Sequence, residues 1–136
     1  MNLVEGIVLE IRIEEVLDAE SGWVRFRSGG TSARGCWVEP GEVPVGRDLH
    51  VELEVPEEGI ISVRPVSGPV RHAVAEDGDV VVIVGCVERV DVDGVISARV
   101  GDDIVLLEGV GPLAGAVEGT YVELRVRELK LYPVNL

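Results

Sequence analysis

The sequence predicts an all-β protein, duplicated internally into two small five-stranded barrels that pack together, and three observations lead there. The chain repeats itself in order. Gly22-Trp23-Val24-Arg25-Phe26-Arg27-Ser28-Gly29 has an echo in Gly94-Val95-Ile96-Ser97-Ala98-Arg99-Val100-Gly101, and His50-Val51-Glu52-Leu53-Glu54-Val55 has one in Tyr121-Val122-Glu123-Leu124-Arg125-Val126. Val63-Arg64-Pro65-Val66 returns as Leu131-Tyr132-Pro133-Val134, all at offsets of 68 to 72 residues. Apolar residues alternate with polar ones at period two in nearly every segment, the mark of a strand with one buried face. The composition is 46% hydrophobic but only 4% aromatic, so Val, Ile and Leu must fill the core, and β-branched residues suit a pleated surface.

In the first copy, residues 1–67, Ile7, Leu9, Ile11 and Ile13 alternate with Val8, Glu10, Arg12 and Glu14, which predicts strand one. Residues 23–27 and 33–38 make strands two and three. Pro40, Gly41, Pro44 and Gly46 then interrupt the chain. His50 to Val55 is strand four, and Ile60 to Arg64 is strand five, closed by Pro65. The second copy, residues 68–136, repeats the plan at 80–90, 95–100, 104–108, 121–126 and 129–132, with Asp93-Gly94 as a tight hairpin turn. Glu15 to Glu20 is read as extra loop in the first hairpin, and 67–79 as the joint between copies. No amphipathic helix is predicted.

Five strands in about 65 residues favour closure, because a closed barrel has no exposed sheet edge. A long first strand, a two-hairpin meander, a break and a final hairpin resemble the OB fold over nearly the whole chain. The resemblance implies a ligand face on strands two and three. Tandem molybdate-binding domains have similar repeat lengths. Their Ser-Ala-Arg-Asn signature is approached once, at Ser32-Ala33-Arg34-Gly35, away from the start of the repeat, so molybdate binding is not inferred.

The net charge is −13, with 13 acids and 6 bases in residues 1–68 and 12 and 6 in residues 69–136. An evenly acidic surface attracts basic proteins and repels a phosphate backbone. Cys36 and Cys86 lack ligand or disulfide spacing, and reduced thiols fit a cytoplasmic protein. The first residues show no signal peptide, and the longest apolar run, Val80 to Val84, is too short to span a bilayer.

One window departs from this acidity. Ser21 to Val38 contains no acid, yet holds Trp23, Arg25, Arg27, Arg34 and Trp37. Alternation puts Trp23, Arg25 and Arg27 on the face opposite Val24 and Phe26. Aromatics beside arginines can stack rings and contact anions. These five residues are the candidate ligand site; the competing reading is that the tryptophans are barrel packing and the arginines pair with nearby Glu. In the second copy the matching face is Val95, Ser97 and Arg99, so only one position keeps its character.

Catalytic signals are poor. His50 and His72 belong to no paired motif, Gly109 to Gly115 has the wrong glycine spacing for a phosphate loop, and Asp91, Asp93, Asp102 and Asp103 sit beside turn glycines. The expectation is a cytoplasmic, non-enzymatic binding or adaptor protein, with no metal or cofactor. Its partner is another protein, a basic one by the charge argument, as immunity proteins and antitoxins bind basic toxins. A homodimer stays open. The alternative is a single-stranded nucleic acid or oligosaccharide binder that uses the Trp/Arg face.

Overall fold

The structure is a computed structural model and describes residues 4–56, 59–66, 73–92, 95–101, 103–107 and 117–134. Its strands are β1 (Val4–Asp18), β2 (Trp23–Ser28), β3 (Thr31–Trp37), β4 (Asp48–Val55), β5 (Ile60–Val66), β6 (Val74–Asp77), β7 (Val80–Val90), β8 (Ile96–Val100), β9 (Asp103–Leu107), β10 (Tyr121–Val126) and β11 (Lys130–Val134). The chain is all-β as expected. Among the described residues no helix is long and apolar enough to cross a membrane. The Asp93-Gly94 turn, His72 and the 109–115 loop lie outside the described residues.

Alternation drives the architecture. Ile7, Leu9, Ile11 and Ile13 of β1 turn inward, as do Val24 and Phe26 of β2 and Val51, Leu53 and Val55 of β4. Together they close a five-stranded barrel in the order β1-β2-β3-β11-β4. The other strands form a second, open sheet in the order β5-β10-β7-β8-β9, with β6 paired to β7. Buried side chains of barrel and sheet join in one hydrophobic cluster.

The closing strand of the barrel comes from the far end of the chain. β11 pairs antiparallel with β4 through Leu131↔Leu53, Pro133↔Val51 and Val134↔His50. On its other side it runs parallel to β3, where the Cys36 N–H donates to the Leu129 carbonyl at 2.8 Å and the Val38 N–H to the Leu131 carbonyl at 3.3 Å. β5, which follows β4 directly in the chain, leaves the barrel and pairs with β10 in the other sheet. Its register is Val63↔Leu124, Pro65↔Val122 and Val66↔Tyr121. The expected arrangement, one barrel from each half using its own fifth strand, is therefore corrected in two ways. β11 rather than β5 closes the barrel while β5 pairs in the second sheet, and the second sheet is open among the described residues. Each proline faces the ladder where it does least harm: Pro65 is on the outer strand β5, and β11 pairs with β3 only at Lys130 and Leu131, short of Pro133.

Two local expectations also change. The extra Glu15 to Asp18 is strand, not loop. Two register shifts let β1 keep pairing with β2 through Glu15↔Arg25, Val16↔Val24 and Asp18↔Trp23, which lengthens the hairpin past the barrel. Gly22 then turns the chain at φ +82°, and a Cβ there would meet the Trp37 carbonyl oxygen at 2.5 Å, so only glycine fits. In the stretch expected to be a joint, Val74 to Asp77 is a strand that pairs with Val80 to Ile83 across Gly78-Asp79. Asp77-Gly78 was the available hairpin signal.

Candidate binding site at the seam

The barrel and the second sheet meet where β3 lies beside β6. The Thr31 hydroxyl donates to the Val74 carbonyl at 2.6 Å and fixes this contact. On the outer barrel face, Arg25 and Arg34 are directly opposed across β2 and β3. Two like charges in that position repel. Glu76 of β6 resolves the repulsion: Oε2 accepts from Arg25 Nη1 at 3.0 Å and Oε1 from Arg34 Nε at 2.6 Å. Arg34 also donates to the Gly78 carbonyl at 3.2 Å and lies 3.6 Å from Asp79. The Glu76 side chain is only 20% exposed, so these pairs are less screened than ordinary surface pairs.

Trp23 and Arg25 are half-buried on the outer face of β2, and Arg27 is exposed on it, opposite the fully buried Val24 and Phe26. Arg27 faces Glu14 at 3.5 Å. Glu14 in turn accepts from the Ser32 hydroxyl at 2.6 Å, and this bond, followed by the charge of Arg27, holds its carboxyl below the ordinary range despite some burial cost. Arg34 joins the same face from β3. Trp37 does not. It is three residues from Arg34 along β3, hence on the opposite side of the strand, and at 6% exposure it lies in the core with Ala33 and Gly35. A Cβ on Gly35 would approach Leu131 at 3.1 Å, which shows how closely β11 fills the space beside Trp37.

Sequence reasoning passed over Glu76, the residue that organises the patch. It lies in the stretch read as a joint, and only the Asp77-Gly78 turn hints that this stretch is a hairpin strand.

No protein-family model, curated protein or solved structure matches the chain.

Next to the ion-pair cluster is a cleft of about 380 Å³. The lengthened β1–β2 hairpin supplies Leu17, Asp18 and Trp23 to it, and the β6–β7 hairpin supplies Asp79 and Val81. Arg34 and Arg127 complete the lining. Asp18 is occupied by its own turn, accepting from the Ser21 hydroxyl at 3.0 Å and the Glu20 N–H at 3.1 Å. Arg127 has no carboxylate partner among the described residues. Burial, and then the nearby Glu128, push the Cys36 thiol up, so it stays protonated at neutral pH and is a poor nucleophile. Among the described residues no three His, Cys, Asp or Glu side chains converge as metal ligands.

Proposed function

We propose that this protein is a non-enzymatic, cytoplasmic binding module of OB-like architecture, and that it docks a basic protein partner at the seam between barrel and sheet. One observation carries the reading. Arg25 and Arg34, the cations that would make the first barrel attractive to phosphates, are both taken up by Glu76. The field offered to a partner is then set by exposed carboxylates such as Glu10, Glu15, Glu20, Glu39, Glu42 and Asp79, in a chain of net charge −13. A nucleic-acid backbone needs the opposite field. The matching registers of β11 on β4 and β5 on β10 support reading the chain as a duplicated unit whose fifth strands have changed places.

The test is capture on the immobilised full chain from a nuclease-treated native lysate, eluted with a salt gradient. The expected partner is a basic protein that survives nuclease and is released as salt rises, because screening weakens exposed charge pairs. Asp79→Lys with Glu15→Lys is expected to weaken capture. Binding that vanishes with nuclease would transfer the function to nucleic acid.

A further inference from the structure

We infer that the seam cleft is a site for a small aromatic monocarboxylate, with the ring against Trp23 and the carboxylate on Arg127. This goes beyond the protein-partner reading and does not depend on it.

Three features of the cleft point to this ligand class. The first is size. About 380 Å³ is near the lower end of the roughly 300–1,000 Å³ typical of ligand pockets, so one small molecule fills it. The second is the wall. Trp23 presents an aromatic surface, with Leu17 and Val81 as apolar neighbours, and this combination suits a flat ring. The larger cavity of about 650 Å³ beside Arg47 and Val43 has no aromatic lining.

The third feature is charge accounting. The other cleft charges have partners: Arg34 pairs with Glu76 and lies 3.6 Å from the exposed Asp79, and Asp18 accepts hydrogen bonds within its own turn. Arg127 has no carboxylate partner among the described residues, in a chain with 25 acids against 12 bases. Its neighbour Arg125, two residues earlier on β10, is held by Asp77 and Glu123. β10 ends at Val126, and the Arg127 N–H donates to the Gly59 carbonyl at 2.8 Å, which anchors its backbone at the cleft. A planar guanidinium matches a carboxylate in a bidentate pair. One free cation among Asp18, Asp79 and Glu76 favours a single negative charge over a phosphate dianion, which would meet more repulsion than one arginine offsets.

The test is titration of the ¹⁵N-labelled full chain with 1-naphthoate, 1-naphthamide and 1-naphthylmethylamine, following the two tryptophan indole N–H signals by NMR. Naphthoate is expected to shift the Trp23 signal saturably while leaving the buried Trp37 signal nearly still. Arg127→Gln and the neutral amide should each weaken binding by about 10-fold or more, the scale of losing one charged hydrogen-bonded pair. Arg127→Lys should keep part of the affinity, and Arg47→Gln should keep all of it. Since Arg127 is exposed and has no ion-pair partner among the described residues, its variants are expected to hold the wild-type peak dispersion. The inference is overturned if naphthoate gives no saturable Trp23 shift up to about 10 mM, if the amide binds as well as the acid, or if the amine binds more tightly. Failure here would leave the capture of a basic protein unaffected, and failure of that capture would leave this binding intact.

Discussion

The β11–β4 ladder of the barrel and the β5–β10 ladder of the second sheet pair in corresponding registers, yet the barrel closes and the second sheet is open among the described residues. Leu131 faces Leu53 in the barrel and is fully buried; Val63 faces Leu124 in the sheet and is only half-buried. Leu129, two residues before Leu131, is fully buried, whereas Ile61, two before Val63, is 42% exposed. The barrel gains a parallel seam between β11 and β3, and no such seam joins β5 to β9 among the described residues. A fifth strand thus earns its burial only when strand three is there to receive it. The exchange also makes the barrel depend on the last described strand of the chain, which ties the two regions into one folding unit.

The largest way to break this comparison is to remove residues 128–136. The barrel then loses β11, and the edges of β3 and β4 are unpaired. We expect loss of cooperative thermal unfolding and exposure to dye binding by hydrophobic surface. A truncated chain that melts cooperatively near the full-length temperature would contradict the barrel's dependence on β11.

A milder version uses single residues. Leu131→Ala is expected to cost about 2–5 kcal/mol, the range for a buried leucine cavity. Val63→Ala, on the half-buried strand, should cost about 1 kcal/mol or less. Chemical denaturation of both variants measures the asymmetry, and equal costs would mean the two fifth strands are equally enclosed.

Smaller still is the effect of Glu76→Gln. It leaves Arg25 and Arg34 opposed without their shared carboxylate. A loss of about 1–3 kcal/mol is expected, from charge-assisted hydrogen bonds in a partly buried setting. The loss should shrink when Arg34→Gln is added, and a double-mutant cycle measures that coupling. Additive costs would mean that Glu76 does not couple β6 to the barrel.

The smallest effect concerns pH. The Glu14 carboxyl is held below its ordinary 4.5, mainly by the Ser32 hydroxyl. A carboxyl lowered on folding stabilises the protein fully above its unfolded value, and this contribution is lost as pH falls through the lowered folded value. Ser32→Ala is expected to move the Glu14 titration upward, read by NMR, and to lower stability slightly at neutral pH while leaving it nearly unchanged at acid pH below the folded Glu14 value, so the stability curve flattens below pH 4.5. An unmoved titration would show that Arg27, not Ser32, governs Glu14.

Much of this architecture was legible in the sequence for a simple reason. Period-two burial in β1, β2, β4, β7 and β10 follows from where the Val, Ile and Leu residues fall, and the structure keeps those strands within a few residues. Parity also placed Trp23, Arg25 and Arg27 together, but Trp37 was grouped with them by proximity in the chain, and parity on β3 sends it inward. Glu76 was missed because β6 is four residues long and its pattern is too brief for periodicity to register. The exchange could not be read at all. Val63-Arg64-Pro65-Val66 and Leu131-Tyr132-Pro133-Val134 are both compatible with either β4 or β10, and the choice is made by how the closing strand meets β3, a contact that no local pattern encodes.

The most direct test of the exchange is therefore a set of backbone NOEs across β4 and β10 in the full chain. The account predicts contacts from Leu131 to Leu53 and from Val63 to Leu124, with a further contact between Lys130 and Cys36 across the parallel seam. NOEs from Val63 to Leu53 and from Leu131 to Leu124 instead would show that each half keeps its own fifth strand, and would contradict it.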